Sequence, residues 1–264
     1  MTPLLLQLLS RLGGLRKWVW LRAYQLLSGR LAQDDWVFMN YGWLGKDAVA
    51  QSTDQLCAQL YAQALRGATV EGAAVLEVGC GRGGGSAWLA RTARPASVTG
   101  VDLSSKAIDF CQRFHGDERL SFVTADAEAL PFAEGSFDVV INIESSHCYG
   151  DVEQFLAEVS RVLRPGGWFC WADMWALSRV EPMLARLDGC GLERMHEADL
   201  TAGVLRALEH ADPAKQQLLN RTVPWLLRPF FRPLMALQGS SMHQRLVSGE
   251  IRYFCRVYQK PSAA

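Results

Sequence analysis

From residue 73 onward, short apolar runs alternate with longer stretches whose apolar residues recur at helical spacing. Short apolar runs bounded by Gly, Asp or Ser are typical of buried strands. They predict strands at residues 74–78, 97–102, 121–124, 137–143, 168–172, 192–197 and 251–259. The stretches between them predict helices at residues 86–94, 105–114, 152–163 and 178–190. Strands that alternate with helices indicate βαβ units and a parallel sheet.

Two helical regions fall outside this alternation. Residues 1–46 are rich in Leu and Trp and predict an N-terminal helical lid or arm, followed by a main domain at residues 47–264. Within that domain, residues 201–248 predict a helical cap inserted before the last strand. Three prolines break up the cap: Pro224, Pro229 and Pro233.

Length and composition restrict the class of protein. The chain has 264 residues, of which 49% are hydrophobic and 20% charged, which fits one globular domain and excludes extensive disorder. No apolar run reaches the ~18 residues that a transmembrane helix needs. The seven cysteines are scattered and form no CxxC pair, which argues against a disulfide framework and against a metal site. These features are typical of a cytoplasmic protein.

The net charge of zero hides an uneven distribution. Residues 1–33 carry five basic and no acidic side chains, residues 34–200 have a net charge of −11, and residues 201–264 have a net charge of +6. The basic flanks are either ordinary solvated surface or a contact for an anionic membrane surface or an acidic carrier. The acidic middle argues against nucleic acid as a partner. The oligomeric state is left open.

The strongest chemical signal is the string VLEVGCGRGGG at residues 75–85. Here a buried strand leads into a glycine-rich turn and then a helix, which lets a ligand approach the backbone closely. Asp102 ends the next strand, where a carboxylate can accept hydrogen bonds from ribose hydroxyls. Gly79, Gly81 and Gly84 also satisfy GxGxxG, so the turn alone leaves a dinucleotide site open.

Further motifs distinguish these readings. Asp126 follows the third strand, Phe137-Asp138-Val139-Val140 forms the fourth, and Leu163-Arg164-Pro165-Gly166-Gly167 precedes the fifth. With the glycine turn, these motifs make the chain resemble the class I S-adenosylmethionine-dependent methyltransferases over residues 70–175. The resemblance implies a Rossmann-like, doubly wound α/β sheet of seven strands and S-adenosylmethionine as cofactor. The cofactor contacts that it implies are Tyr41, Glu77, Gly79, Gly81, Gly83, Asp102, Leu103, Asp126, Ala127 and Glu144.

A closer resemblance involves Glu144-Ser145-Ser146-His147-Cys148-Tyr149, with Asn40-Tyr41-Gly42-Trp43 and Ala172-Asp173-Met174. These segments are similar to small-molecule and lipid O-methyltransferases of the phthiotriol and fatty-acid type. The resemblance implies that Tyr41 and Trp43 help to close the cofactor pocket.

His147 is the predicted base for an alcohol acceptor, because imidazole accepts protons near neutral pH. For a carboxylate acceptor it would only orient the substrate. His243 is a second candidate base, and Asp173 would orient either histidine or cap its loop.

The sequence therefore predicts methyl transfer from S-adenosylmethionine to a hydroxyl or carboxyl oxygen of a hydrophobic small molecule, such as a fatty acyl, polyketide or peptide natural product. Transfer to carbon or nitrogen on the same fold remains an alternative, as does a non-catalytic binding module. A nicotinamide-dependent reductase is disfavoured, since Glu153 and not lysine lies four residues after Tyr149. The expected location is the cytoplasm, with peripheral membrane contact left open.

Overall fold

The computed structural model describes residues 36–49 and 52–262. Within this part of the chain, seven strands form one sheet, with helices on both faces. The strands are β1 (Ala74–Val78), β2 (Ser97–Asp102), β3 (Leu120–Thr124), β4 (Phe137–Ile143), β5 (Leu163–Ala176), β6 (Glu193–Asp199) and β7 (Ile251–Gln259). The Rossmann-like α/β fold predicted from the sequence is confirmed.

The helices begin and end close to the predicted limits. They are α1 (Thr53–Ala64), α2 (Gly84–Thr92), α3 (Ser105–Phe114), α4 (Val152–Val162), α5 (Leu177–Asp188), α6 (Thr201–Thr222), α7 (Arg228–Leu234) and α8 (Ser241–Val247). Side-chain caps fix several starts: Ser52 accepts from the backbone N of Gln55, and Asp151 accepts from that of Gln154. Helix α5 has no such cap, because its N-cap, Ala176, has no side chain able to accept.

The sheet order is β3-β2-β1-β4-β5-β7-β6, and β7 runs antiparallel to both of its neighbours. The order reverses between β1 and β4, which pair in parallel. Helices leave β1 and β4 toward opposite faces of such a sheet, so a crevice opens at the carboxyl ends of these two strands. The glycine turn and the segment that starts at Glu144 both lie at this crevice.

Strand β5 is longer than predicted. The sequence predicts a turn at residues 165–167, but the strand already begins at Leu163. The pairing register shifts between Phe137 and Val139, and Gly166 has a φ of 78°. The glycines therefore form an irregularity within the strand instead of a turn before it.

Alternate residues of the central strands pack on opposite faces of the sheet. Val75, Val139 and Ile141 lie with Leu60 of α1 in one apolar cluster. Leu76, Val78, Val140 and Phe169 lie with Phe155 of α4 in a second cluster. Each fully buried aliphatic or aromatic side chain of this kind contributes roughly 1.5–3 kcal/mol to the free energy of unfolding. This packing holds the strand ends, and therefore the crevice, in fixed positions.

The cap consists of α6, α7 and α8, and it lies over the carboxyl-terminal side of the sheet. Pro224 lies between α6 and α7, as predicted, but Pro229 and Pro233 lie within α7 and do not interrupt it. Helix α6 packs closely on Trp43: a Cβ added at Gly203 would lie 2.0 Å from Nε1 of that ring. The backbone N of Leu44 also donates to the carbonyl of Gly203 (3.0 Å).

Most of the predicted lid or arm at residues 1–46 lies outside the described residues. No helix within the described ranges is both long enough and apolar enough to cross a bilayer.

We predict that Gly203→Ala lowers the free energy of unfolding by about 1–3 kcal/mol, because the added methyl group overpacks the contact with Trp43. Alanine normally stabilises a helix relative to glycine, so a loss would identify the steric contact. Chemical denaturation of both proteins measures it. Gly116→Ala is the matched control, since a Cβ there has no neighbour within 4 Å. A stabilised Gly203→Ala protein would contradict the packing.

Candidate functional site

A cleft lies at the carboxyl ends of β1 and β2, beside the glycine turn. The backbone N of Gly79 donates to the carbonyl of Val101 (2.7 Å), and that of Gly81 donates to Oδ2 of Asp102 (2.9 Å). Gly79 has a φ of 77°, and a Cβ there would lie 1.9 Å from Oγ of Ser145. Only glycine satisfies both the backbone angle and the contact.

We name this space the glycine-loop cleft, and a carboxylate lies toward each of its ends. Oδ1 of Asp102 accepts from the backbone N of Ser104 (2.9 Å), and burial raises the pKa of this carboxyl group. Oδ1 of Asp126 accepts from the backbone N of Glu128 (3.0 Å) at the other end. Leu103 and Ala127 also line the cleft. The structure thus brings together the expected residues that follow β1, β2 and β3.

Three expected cofactor contacts do not line the cleft: Tyr41, Glu77 and Gly83. The carboxylate of Glu77 is buried and accepts hydrogen bonds from the hydroxyls of Tyr61 and Ser86. Burial raises the pKa of Glu77 to about 7, although both hydroxyls oppose that shift. Glu77 therefore ties α1 and α2 to β1, whereas the resemblance implied that it contacts the cofactor.

Gly83 also lies outside the lining of the cleft. It is the N-cap of α2, and a Cβ there would meet His115, Cys111 and Phe122, on the side away from the cleft. Gly84 and Gly85 line the cleft in its place.

The segment at residues 37–40 covers the cleft. The carbonyl of Val37 accepts from the backbone N of Gly84 (3.3 Å), and a Cβ at Gly81 would lie 2.9 Å from Sδ of Met39. This cover leaves the cleft narrow, with a volume of 130 Å³.

A larger cavity of 780 Å³ lies under the cap and shares a wall with the cleft. Phe38, Met39, Asn40 and Glu144 line both spaces. Most of the remaining lining of this cap cavity is apolar, from Met174, Leu218, Leu234 and Met242 among others.

Glu144 stands at the junction of the two spaces. Its φ of 48° is in the left-handed region, which costs a non-glycine residue roughly 1–3 kcal/mol and is typical of functional turns. Oε1 of Glu144 accepts from the backbone N of Tyr41 (2.8 Å). Burial raises the pKa of Glu144 to about 7, with a smaller contribution from the charge of Asp173 and opposition from His147 and Lys215.

His147 lies in a short 3-10 turn, Ser146–Cys148, and faces the cap cavity. Its Nδ1 lies 2.7 Å from Oδ1 of Asp173, and its backbone N donates to Oδ2 of the same carboxylate (2.9 Å). Burial alone would lower the pKa of His147, but the charge and hydrogen bond of Asp173 outweigh it, so the pKa is raised well above the usual value. Asp173 is fully buried and lines neither space, so it positions the histidine from behind.

Lys215 of α6 adds a positive charge that the sequence reasoning missed. It lines the cap cavity, with Nζ 5.4 Å from the centre of the Tyr41 ring. Burial lowers its pKa, while the nearby Cys57 and Glu144 oppose that change. Asp212, three residues earlier, accepts instead from Gln216 and from the backbone N of Gln238. Lys215 forms no ion pair with another residue in the described part of the chain.

Three residues expected at the site lie elsewhere: Tyr41, Trp43 and His243. Tyr41 lines the cap cavity and not the cofactor cleft, because its ring points toward α7, where its hydroxyl donates to the carbonyl of Leu234 (3.3 Å). Trp43 packs on α6. His243 is buried on α8, and it is not among the described residues that line either space, so it is not brought to His147.

Comparison with known proteins agrees with this geometry. Residues 76–171 match a family described as "Methyltransferase domain". A phthiotriol/phenolphthiotriol dimycocerosates methyltransferase of Mycobacterium tuberculosis is 37% identical over 254 residues, or 93% of this chain and 94% of that protein. A fatty-acid O-methyltransferase of Mycolicibacterium smegmatis is 38% identical over 240 residues, or 89% of this chain and 88% of that protein.

Solved structures share the fold at low sequence identity. The [4+2]-cyclase SpnF is similar with a TM-score of 0.72 and 19% identity, covering 92% of this chain and 95% of that chain. A geranyl diphosphate methyltransferase in complex with SAM has a TM-score of 0.64 and 19% identity, covering 85% of this chain and 99% of that one. A cyclase on the same fold shows that fold alone does not determine the reaction.

We predict that the imidazole of His147 titrates well above its usual pKa and that Asp173→Asn lowers this pKa, because the neighbouring negative charge is removed. NMR titration of the histidine ring signals in both proteins measures the change. His115 is the internal control, since burial lowers its pKa and it lies far from Asp173 in the fold. An unchanged pKa of His147 in Asp173→Asn would contradict the assigned ion pair.

Proposed function

This chain belongs to the S-adenosylmethionine-dependent methyltransferases, and we propose that it transfers a methyl group to an oxygen atom of a lipophilic acceptor bound under the cap. The observation that carries this proposal is the shared wall between the two spaces. One space has the polar groups that suit a nucleoside, the other is large and mostly apolar, and Glu144 faces both. Methyl transfer requires this adjacency, because donor and acceptor must meet in line.

The residues of the glycine-loop cleft fit the cofactor. Glycine backbone at residues 79–81 permits the close approach that the methionine part needs, and the Asp102 carboxylate suits the ribose hydroxyls. Asp126 and the backbone of Ala127 would bind the adenine at the far end. When bound, S-adenosylmethionine supplies an electrophilic methyl group on sulfur.

The protein's own contribution is alignment and exclusion of water. The 37–40 segment would close over the cofactor, and the cap would close over the acceptor. Glu144 would fix the covering segment through the backbone N of Tyr41, since that bond spans 103 residues of sequence. His147 would hold the acceptor oxygen, with Asp173 fixing its ring.

Charge in the cap cavity favours a carboxylate as the acceptor group. His147, whose pKa is raised by its pairing with Asp173, and Lys215 both face this cavity, and the other charged residues that line it are Arg221, Arg245, Asp54 and Glu144. Lys215 is partly buried and forms no ion pair within the described ranges, and an acceptor carboxylate would supply a partner for it. The related fatty-acid O-methyltransferase carries such an acceptor in its name. A hydroxyl acceptor would instead need His147 to lose its proton first.

Incubation with methyl-labelled S-adenosylmethionine tests this proposal directly. The acceptors are a long-chain fatty acid, the alcohol of the same length and the amine of the same length. We expect label in the methyl ester of the acid. Label only in the amine, or on carbon of any acceptor, would overturn O-methylation, and binding of cofactor without any transfer would favour a binding module.

We predict that Asp102→Ala weakens the affinity for S-adenosylhomocysteine by roughly 10–150-fold, equivalent to about 1.5–3 kcal/mol for a lost charge-assisted hydrogen bond. Calorimetric titration measures the affinity. Asp109→Asn is the control, since this side chain is exposed on α3. Equal affinities in Asp102→Ala and the wild type, with both folded, would remove Asp102 as a ribose ligand.

We also predict the direction of the pH dependence. With a carboxylate acceptor, kcat/KM should fall as the pH rises through the raised pKa of His147, because the protonated ring holds the acceptor.

His147→Gln should remove this fall in kcat/KM with rising pH. It should also lower kcat/KM by roughly 10–150-fold, while cofactor affinity stays near wild type. Lys215→Gln should raise KM for the acid more than for its alcohol. A kcat/KM that rises through the same pKa would instead identify His147 as a general base for a hydroxyl.

A further inference from the structure

The turn between α6 and α7 exposes a cluster of large apolar side chains. Trp225 is 71% exposed, Leu226 64%, Leu227 44% and Phe230 61%. Adjacent exposed apolar residues of this size are unusual on a soluble surface and mark a contact site. We name residues 224–230 the tip.

The tip is held in place from below. Val223 and Leu237 are buried in a small apolar cluster with Leu219, and Trp36 and Phe231 pack against it. The guanidinium group of Arg228 donates to the carbonyls of Val223 (3.0 Å) and Asn220 (2.9 Å). The exposed side chains therefore project from a braced turn.

The segment of sequence that contains the tip is basic. Residues 213–249 contain five basic side chains and no acidic one. Arg228 and Arg232 lie among and next to the exposed residues, and their guanidinium groups donate to the backbone carbonyls of Val223, Asn220 and Gln238. An apolar tip with a basic surround matches the acyl region and the charged headgroups of an anionic lipid surface.

The tip also lies at the mouth of the cap cavity. Phe230 belongs to the tip and lines the cavity, as do Pro233 and Leu234 of the same helix. A lipophilic molecule in a membrane would reach the cavity along this helix without crossing water.

We propose that the tip docks this protein on anionic membranes, by inserting Trp225 and Leu226 among the lipids while Arg228 and Arg232 contact the headgroups. The role of this docking, which is to deliver a lipophilic acceptor to the cap cavity, rests on the proposed function. The membrane contact itself is measurable without turnover.

Sedimentation of the full chain with lipid vesicles tests the docking. The vesicles are phosphatidylcholine alone and phosphatidylcholine with phosphatidylglycerol. We expect binding to the anionic vesicles that weakens at high salt. Trp225→Ser with Leu226→Ser should lower vesicle affinity about tenfold or more. Arg228→Gln with Arg232→Gln should lower it about fivefold for each charge removed.

Matched controls separate the tip from general surface effects. Met195→Ser removes an exposed apolar side chain on β6 and should bind vesicles as the wild type does. Arg228→Lys with Arg232→Lys keeps both charges and should retain most of the affinity. Equal vesicle binding by the Trp225→Ser, Leu226→Ser protein and the wild type would overturn the proposal. The proposal would also be overturned if that protein lost self-association while its vesicle binding stayed unchanged. The tip would then be an interface between two copies of this chain.

Activity measurements distinguish failure of the docking from failure of the proposed function. The Trp225→Ser, Leu226→Ser protein should methylate a short, water-soluble carboxylic acid at the wild-type rate and a vesicle-bound acid more slowly. If that protein methylates the vesicle-bound acid as fast as the wild type does, the docking is overturned. Absence of methyl transfer by the wild type to any acceptor would overturn the proposed function, and the vesicle assay would still decide the docking.

Discussion

The close contact between the turn after β1 and the turn after β4 determines where both spaces lie. Gly79 packs against Ser145 so tightly that no side chain fits between them. Asn142 holds the arrangement from the β4 side, since its Nδ2 donates to the carbonyl of Val78 (2.9 Å) and lies 2.8 Å from the hydroxyl of Tyr149. With the two turns locked together, Glu144 is forced into a left-handed backbone angle and faces both spaces.

A second constraint is the concentration of charge beside that junction. Glu144, His147 and Lys215 are partly buried, and Asp173 is fully buried. Asp173 satisfies His147, whereas Lys215 forms no ion pair within the described residues. The proposed carboxylate acceptor would supply a partner for Lys215.

The sequence predicted the elements that depend on local pattern. The strand, glycine turn and helix at residues 74–92 follow from hydrophobic runs and glycine, and the cap helices follow from helical spacing and prolines. The start of β5 was missed because its first residues, Arg164 to Gly167, have turn composition, and pairing with β4 overrides that preference.

The parts of the site that were missed depend on long-range contacts. The burial of Glu77 under Tyr61 and Ser86 requires the docking of α1, and the exposure of Lys215 to the cavity requires the cap to fold over the sheet. Asp212 lies three residues before Lys215 and would be its expected helical partner. Only the fold shows that this carboxylate is used by Gln216 and Gln238.

The most direct test of the account is a crystal structure with S-adenosylhomocysteine and a long-chain fatty acid bound together. The account predicts that the nucleoside lies against Asp102 and the acyl chain under the cap. It also predicts that the carboxylate lies between His147 and Lys215 and faces the sulfur at the junction beside Glu144. A fatty acid bound outside the cap cavity, or with its carboxylate directed away from the sulfur, would contradict the central claim that the two spaces meet for methyl transfer.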